Sequence, residues 1–383
     1  MKMFCVDWGI VYIRYSKNIS VKPKFILFLF TFLSIISCKP DEGYVETQPE
    51  TAVNFNINEV PYAKLSTYSF FKGELKNLDP VAKVLPYEPS SSLFTDYALK
   101  KRFVWMPAGT KAAYDGDDKS LNFPVGTVLI KSFYYNTVQP NNGTKIMETR
   151  LMIKKSSGWT FAEYIWNDAQ TEATLVTGTD FTSGSTKAVS FKKDNGNVMD
   201  IDYRIPSEAE CFACHKLNNQ PVPIGVKPQN LNKTYGYSDG VKNQLQKMVN
   251  EGYLGSYPSN IVSTVDYHDT TKPLDIRLRS YLDINCAHCH QDNARCDYRA
   301  IRLNFSKTNI LANLGVCVTA DEPVDATIQK IIMPGNHNKS VMNYRLTSVA
   351  ESNRMPLLGR TVVHDEGVAL LQQYINSLTQ PCN

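Results

Sequence analysis

Two copies of one short pattern, Cys-x-x-Cys-His, can do chemistry by residue type and spacing. The first copy spans residues 211–215 and the second spans residues 286–290. Two thiols three residues apart can each add to a vinyl group of one haem, and the histidine that follows can bind the haem iron. The pattern therefore predicts two covalent c-type haems, with His215 and His290 as the proximal iron ligands. The cysteines predicted to carry the haems are Cys211, Cys214, Cys286 and Cys289.

Zinc is the main alternative use of the same cysteines. A pair of CxxC segments can supply four thiolates to one tetrahedral zinc ion. An all-cysteine zinc site needs no histidine after each pair, yet a histidine follows both pairs here. The pattern therefore favours haem over zinc or disulfides.

A haem in an electron-transfer protein usually takes a second axial ligand, methionine or histidine. Met355 lies in NRMPLLGR, 65 residues after His290, and is followed by Pro356, which would stiffen the loop that carries the sulfur. We therefore predict Met355 as the distal ligand of the second haem. Met333, in IIMPGNH, is the alternative.

The distal ligand of the first haem is less constrained. Met248 lies on a predicted helix downstream of the first motif, and His268 lies in a loop. We predict Met248 as the candidate ligand, and His268 or an open iron site remain alternatives. His337 and His364 stand outside any motif and are predicted at the surface.

Helices are predicted to hold both motifs. Ser207 and Glu210 form a capping box that begins a helix leading into the first motif. Apolar residues recur at three and four residues in the stretch 274–285, which runs into the second motif, and again in residues 365–378. A leading helix with the haem motif and a closing amphipathic helix are the plan of a small class I cytochrome c.

The region before the first motif has a different pattern. Between about residues 103 and 203, apolar and polar residues alternate in short runs that are separated by turn clusters such as QPNNG and KKSSG. Six or more short strands in this length predict a β-sandwich or jelly-roll-like module. The predicted fold class is therefore multidomain, with an all-β N-terminal module followed by all-α cytochrome c-like haem modules.

The first residues have the pattern of an export signal. Lys22 and Lys24 precede the apolar run 25–36, which is too short to span a bilayer. Ser37 and Cys38 complete a sequence typical of a lipoprotein signal, in which Cys38 would carry the lipid. The predicted segments are a signal peptide (1–37), a polar tether (38–54), a β-rich domain (55–205), a first haem segment (206–270) and a C-terminal cytochrome c domain (271–383).

Charge and cysteine usage agree with export. The whole chain has a formal net charge of +4, but residues 1–37 hold five basic residues and one acid, so the rest is balanced at 36 of each. Nothing in this balance indicates nucleic acid as a partner. In an oxidising compartment, Cys296 and Cys317 are predicted to form a disulfide, which leaves Cys382 unpaired.

Several stretches resemble a family of bacterial diheme c-type cytochromes. These are AECFACH, YLDINCAHCH, PGNHNKSVMNYRL and RMPLLGR, together with FPVGTVLIKSFYYN in the β-rich part. The resemblance covers roughly residues 60–380. It implies that both CxxCH motifs bind haem and that Met355 is an axial ligand. The chain differs from the family at His337 and His364.

Together these features predict an exported, lipid-anchored diheme cytochrome c. It would transfer single electrons in the cell envelope, as an outer-membrane lipoprotein facing the periplasm or the cell surface, and would exchange them with redox partner proteins. The features favour an electron-transfer protein over an enzyme. The alternatives are a haem-dependent, peroxidase-like oxidoreductase and a glycan- or protein-binding lipoprotein with accessory haems.

Overall fold

The computed structural model describes residues 52–382, which belong to one compact unit. The predicted signal peptide and Cys38 lie outside the described residues. Within residues 52–382, every helix is too short or too polar to cross a bilayer. The domain boundaries predicted after residues 205 and 270 fall inside this unit.

A large antiparallel sheet is the centre of the unit. Its strands, together with those of three two-stranded sheets, are β1 (Phe71–Lys72), β2 (Asp79–Pro80), β3 (Leu85–Pro86), β4 (Leu99–Trp105), β5 (Val128–Val138), β6 (Gly143–Lys155), β7 (Gly158–Trp166), β8 (Ala173–Leu175), β9 (Ser185–Lys192), β10 (Val198–Ile205), β11 (Lys216–Leu217), β12 (Gln220–Pro221), β13 (Thr234–Tyr237) and β14 (Gly240–Asn243). The large sheet has eight strands in the order β10-β9-β5-β6-β7-β8, and β4 pairs with both β5 and β3.

Within residues 52–382, eight α-helices and three 3-10 turns accompany the sheet. The helices are α1 (Gly178–Ser183), α2 (Glu208–Cys214), α3 (Pro228–Leu231), α4 (Gln244–Asn250), α5 (Leu274–Asn285), α6 (Leu311–Leu314), α7 (Val341–Thr347) and α8 (Asp365–Ser377). The 3-10 turns are Leu65–Tyr68, Leu75–Asn77 and His337–Lys339.

The residues of the sheet explain why it forms. The strands β5, β6 and β7 are rich in β-branched and aromatic residues, which fit a pleated surface. Val128, Ile130 and Ile153 point to one face, where they pack with the N-terminal residues Tyr68 and Phe70. The opposite face carries a mixture of apolar and charged side chains, and this face forms part of the candidate site.

The predicted fold class is wrong. Among residues 52–382, strands and isolated bridges hold 27% of the residues and α- and 3-10 helices hold 21%, and no all-α cytochrome c-like module is evident there. The β region is a single sheet and not a sandwich, because downstream segments cover it where a second sheet would lie. Leu245 and Leu254, for example, share one buried cluster with Leu129 and Met152 of the sheet.

The C-terminal third differs from the predicted helical module for a similar reason. Between α5 and α7, only the four-residue α6 is α-helical, and the chain is otherwise held by isolated bridges such as Val316 with Ile332 and Thr319 with Lys330. The helices α5 and α8 do pack together, around Leu278, Leu282 and Leu371. They belong to the same compact unit as the sheet.

An N-terminal arm, residues 90–98, ties the sheet to the C-terminal segments. The Asp96 carboxylate accepts hydrogen bonds from the backbone N–H groups of Thr361 (2.7 Å) and Val362 (3.1 Å). The backbone N–H of Phe94 donates to the side-chain oxygen of Asn285 at 2.8 Å. The contacts of Asp96 join residues 265 and 266 positions apart, and the contact of Phe94 joins residues 191 positions apart.

The predicted disulfide is also corrected. Cys317 pairs with Cys382, with an S–S distance of 2.07 Å, and Cys296 is a free thiol. The bond joins residues 65 apart and fastens the end of the chain to the loop after α6. The sequence favoured Cys296 as the partner of Cys317 only because the two are near each other along the chain. The fold places Cys382 next to Cys317 instead.

Candidate functional site

A cavity of about 1340 Å³, part of which is open to solvent, lies between the large sheet and α2. All three residues of the first motif, Cys211, Cys214 and His215, line it. The sheet forms the opposite wall through residues of β5, β6 and β7, among them Lys131, Arg150 and Glu163.

Local sequence positions the first motif. The Ser207 hydroxyl accepts from the backbone N–H of Glu210, and the Glu210 carboxylate accepts from the backbone N–H of Ser207, so the predicted capping box is confirmed. Arg204 also contacts Glu210, at 2.8 Å. The last strand of the sheet is thereby joined to the start of α2, which carries Cys211 and Cys214.

His215 is held in the orientation that a metal ligand needs. Its Nδ1 lies 2.8 Å from the carbonyl oxygen of Val222. A ring N–H that donates to a backbone carbonyl fixes the tautomer and leaves Nε2 free for a metal. Burial lowers the pKa of His215 to about 4, so the imidazole is neutral, which is the ligating form.

A second cavity, of about 720 Å³, lies beside the end of α5. Cys286 and His290 of the second motif line it, together with Met355. Burial lowers the pKa of His290 to about 4, and its Nδ1 is buried without a hydrogen-bond partner among the described residues. The predicted proximal and distal residues of the second site therefore face the same cavity.

Arg360 fixes the loop that carries Met355. Its guanidinium is buried and donates to the carbonyl oxygens of Met355 (3.0 Å), Arg345 (3.0 Å), Leu346 (3.2 Å) and Ser348 (2.8 Å). A buried arginine that binds several carbonyls holds a loop in one conformation. Sequence reasoning missed this role, although Arg360 ends the NRMPLLGR stretch.

The two cavities share a wall. Asn285 and His288 line the first cavity, whereas their close neighbours in sequence, Cys286 and His290, line the second. Residues 355–359 are divided in the same way, because Met355 lines the second cavity while Pro356 and Leu358 line the first. Two groups bound in the two cavities would therefore lie on opposite sides of the segments 285–290 and 355–359.

The two motifs also touch through their cysteines. The ligand atoms of Cys214, His288 and Cys289 lie within 4.8 Å of one another. A hydrogen bond with Cys289 holds the pKa of the Cys214 thiol well below its usual range, and a second one lowers the pKa of Cys296 to about 7. Cys289 thus faces Cys214, and it does not line the second cavity.

Compared with protein-family models, curated proteins and solved structures, the chain matches none. The residues and their geometry alone must therefore support a function.

Not every predicted site residue reaches a cavity. Met248 is buried in the apolar cluster of Leu245 and Tyr253 and lines neither cavity. His268 is exposed, and its ring lies tilted against the ring of Tyr267, with centroids 3.9 Å apart. Among the methionines, Met152 lines the first cavity, and its position on β6 gave no ligand-like signal in the sequence.

His364 differs from its prediction as a surface residue. It is 7% exposed, its ring stacks on Phe94 with centroids 4.0 Å apart, and Nδ1 lies 3.0 Å from the Tyr281 hydroxyl. Burial lowers its pKa to about 3. The neutral ring joins the N-terminal arm to α5, at the turn before α8.

Buried charges underlie the sheet wall of the first cavity. Arg150 donates to both carboxylate oxygens of Glu148, at 2.8 and 2.5 Å. Burial alone would raise the pKa of Glu148, but attraction from Arg150 holds it below the usual value. Burial raises the pKa of the neighbouring Glu163 to about 10, with a further rise from Glu148. Near neutral pH, Glu148 therefore carries the charge and Glu163 is neutral.

Proposed function

We propose that the protein is a diheme c-type cytochrome that transfers single electrons. The observation that supports this function most strongly is that Cys211, Cys214 and His215 line one cavity, that Cys286 and His290 line another, and that the two cavities share a wall. The neutral His215, oriented by Val222, fits the role of a proximal ligand. A c-type haem supplies a one-electron ferric–ferrous couple when it is bound.

The residues of the chain would divide the work. Cys211 and Cys214 would tether the first haem and His215 would ligate it. Cys286, Cys289 and His290 would do the same at the second cavity, where Met355 would be the distal ligand. Binding there requires the Cys289 thiol to turn from Cys214 towards the second cavity. The shared wall would keep the two centres close. Such closeness suits the function, since electron transfer needs a short path through protein.

The proposed location follows from the sequence before residue 52. A lipid on Cys38 and a polar tether would hold the protein at the envelope membrane, most simply as an outer-membrane lipoprotein, where redox partner proteins would reach it. Labelling with a radioactive fatty acid tests this. A Cys38→Ala variant that still takes up label would contradict the anchor.

The test of the function is the number of covalent haems. Protein exported to the periplasm should give two haems per chain in a pyridine haemochrome assay. A Cys211→Ala/Cys214→Ala variant and a Cys286→Ala/Cys289→Ala variant should each give one. A colourless protein with the mass of the polypeptide plus any lipid would overturn the proposal.

The axial role of Met355 gives a second prediction. In a Met355→Ala variant, one haem should become high spin and its midpoint potential should fall, because a thioether ligand favours ferrous iron. The matched control is Met333→Ala, which changes a methionine that lines neither cavity. Electron paramagnetic resonance distinguishes the spin states. An unchanged Met355→Ala spectrum would remove this residue from the site.

A zinc site is a second candidate, because Cys214, His288 and Cys289 already form a compact set of ligands. Cys296, which hydrogen bonds to Cys289, would complete the four ligands of a tetrahedral structural site. Zinc analysis of the same purified protein decides between the two. One zinc ion per chain without haem absorbance would favour this candidate.

A further inference from the structure

The sheet wall of the first cavity carries a line of charges across four strands. Arg102 of β4 pairs with Lys131 of β5, Lys131 pairs with Arg150 of β6, and Arg150 pairs with Glu163 of β7. Lys131, Arg150 and Glu163 line the cavity. Like charges directly opposite each other destabilise a sheet, so three neighbouring cations need a compensating partner.

Most of the other cations around the two cavities have such a partner. Arg150 is paired with Glu148, and Arg204 is paired with Glu210 at 2.8 Å. At the second cavity, Arg299 contacts Glu322 at 2.6 Å, and Arg345 contacts the same carboxylate at 3.5 Å. Arg299 also contacts Asp321 at 3.4 Å, so each of these cations has at least one carboxylate partner.

Lys131 is different. Within residues 52–382, no carboxylate oxygen forms an ion pair with its ammonium group, which lies 4.7 Å from the centre of the Phe133 ring. Arg150 packs on the same ring, at 4.4 Å. Glu163 is the remaining acid of the row, but it is neutral near pH 7. Burial, followed by repulsion from Arg102, holds the pKa of Lys131 well below its usual range.

An ammonium group that is shielded from water and has no counter-ion is costly to keep charged, and an anion placed beside it favours the charged form. We propose that Lys131, which lies beside the Glu148-paired Arg150, forms an anion-binding wall that receives a carboxylate group of the molecule in the first cavity. This inference rests on the proposed function. There, the carboxylate is a propionate of the haem tethered by Cys211 and Cys214. A free carboxylate or oxyanion has the same chemistry and would bind the same wall.

The test uses a Lys131→Met variant of the haem-loaded protein. Its matched control is Lys101→Met, because Lys101 lies on the adjacent strand with its side chain exposed outside the cavity. Haem content and both midpoint potentials are measured. We expect Lys131→Met to keep two haems and to lower one potential, because loss of a nearby cation disfavours ferrous iron. Lys131→Arg should restore most of the shift, and Lys101→Met should change neither potential.

Added anions identify the source of the carboxylate. If the wild-type potentials do not respond to acetate or inorganic phosphate, and Lys131→Met shifts one of them, the wall binds the haem propionate. A saturable response to either anion that Lys131→Met abolishes assigns it to a diffusible ligand. Two haems, unchanged potentials in Lys131→Met and no anion response would overturn the wall while leaving the cytochrome intact.

Colourless wild-type protein would contradict the proposed function but would not contradict the anion-binding wall. In that case calorimetry with acetate and inorganic phosphate tests the wall directly. Binding that Lys131→Met abolishes and Lys101→Met retains supports the wall, and lack of binding to the wild type overturns it.

Discussion

The buried imidazole of His364 shows how one side chain can make the fold sensitive to acid. It contacts Phe94 and Tyr281, so it links the N-terminal arm to α5. Glu366 lies 3.5 Å from its Nε2, but this carboxylate is 45% exposed and water screens it. Burial therefore dominates, and the ring is neutral in the folded state down to about pH 3.

We predict that His364 makes stability fall as the pH falls. The ordinary pKa of about 6.5 applies in the unfolded chain, which therefore binds the proton first. The contribution of neutral His364 is complete above about pH 6.5 and is lost progressively towards pH 3. Between about pH 7.5 and 5, wild type should lose about 2 kcal/mol more of its unfolding free energy than His364→Asn does. Urea unfolding measures this.

The control for this prediction is His337→Asn, since His337 is only partly buried and bonds to Asn376 near the surface. That variant should keep the wild-type slope of stability against pH. Equal slopes in wild type and His364→Asn would contradict the prediction.

The contact between α5 and α8 depends on an absent side chain. Gly367 of α8 lies against Tyr281 of α5, and an added Cβ would overlap the Tyr281 hydroxyl and lie 2.7 Å from His364 Nδ1. Replacing an exposed helical glycine with alanine usually stabilises a protein by about 1 kcal/mol. At Gly367 the same replacement should instead destabilise the protein.

We predict that Gly367→Ala destabilises the protein by about 1–3 kcal/mol, because the packed side chains must separate. Chemical unfolding measures the difference. Tyr281→Leu removes both overlapping atoms, the hydroxyl oxygen and the ring carbon Cζ, so the double variant should cost less than the sum of the two single changes. Strict additivity would show that the overlap is not the cause.

A second element-scale prediction concerns Asp283, whose buried carboxylate joins α5 to the segment after the first motif. It contacts Lys227 at 2.9 Å and accepts from Gln229 (3.1 Å) and from the backbone of Phe305 (3.0 Å). Asp283→Ala leaves the Lys227 charge without its partner and should cost about 3–5 kcal/mol.

The control is Asp275→Ala, in the exposed first turn of the same helix. It should cost only about 0.3–1 kcal/mol, through the helix dipole. Thermal or urea unfolding of both variants makes the comparison. Similar losses for the two would show that Asp283 does not join the segments.

At the scale of the whole molecule, the disulfide between Cys317 and Cys382 closes a long loop. For 65 residues the loss of chain entropy in the unfolded state corresponds to about 4 kcal/mol. Cys382→Ser should therefore lower stability by roughly 2–5 kcal/mol, as measured by unfolding with and without reductant. Cys296→Ser should leave the bond in place. A disulfide-linked peptide containing Cys296 and Cys317 in mass spectra would contradict the pairing.

Local patterns predicted much of the local structure. The Ser207 capping box and the helices at residues 274–285 and 365–377 are where the sequence indicates them. The sequence did not show how the elements combine, because that depends on contacts such as Leu245 with the sheet. At the candidate site, the motif residues and Met355 could be found from spacing. Lys131 and Arg360 could not, since their roles come from strand register and loop geometry.

The bond between Asp96 and the backbone of Thr361 has a consequence for biosynthesis. A ribosome makes Asp96 long before its partner, 265 residues later, exists. The N-terminal arm therefore cannot settle while translation is under way, and closure of the fold must follow completion of the chain. Truncated products that end before residue 361 would lack this partner of Asp96, and the arm would be more open to proteases.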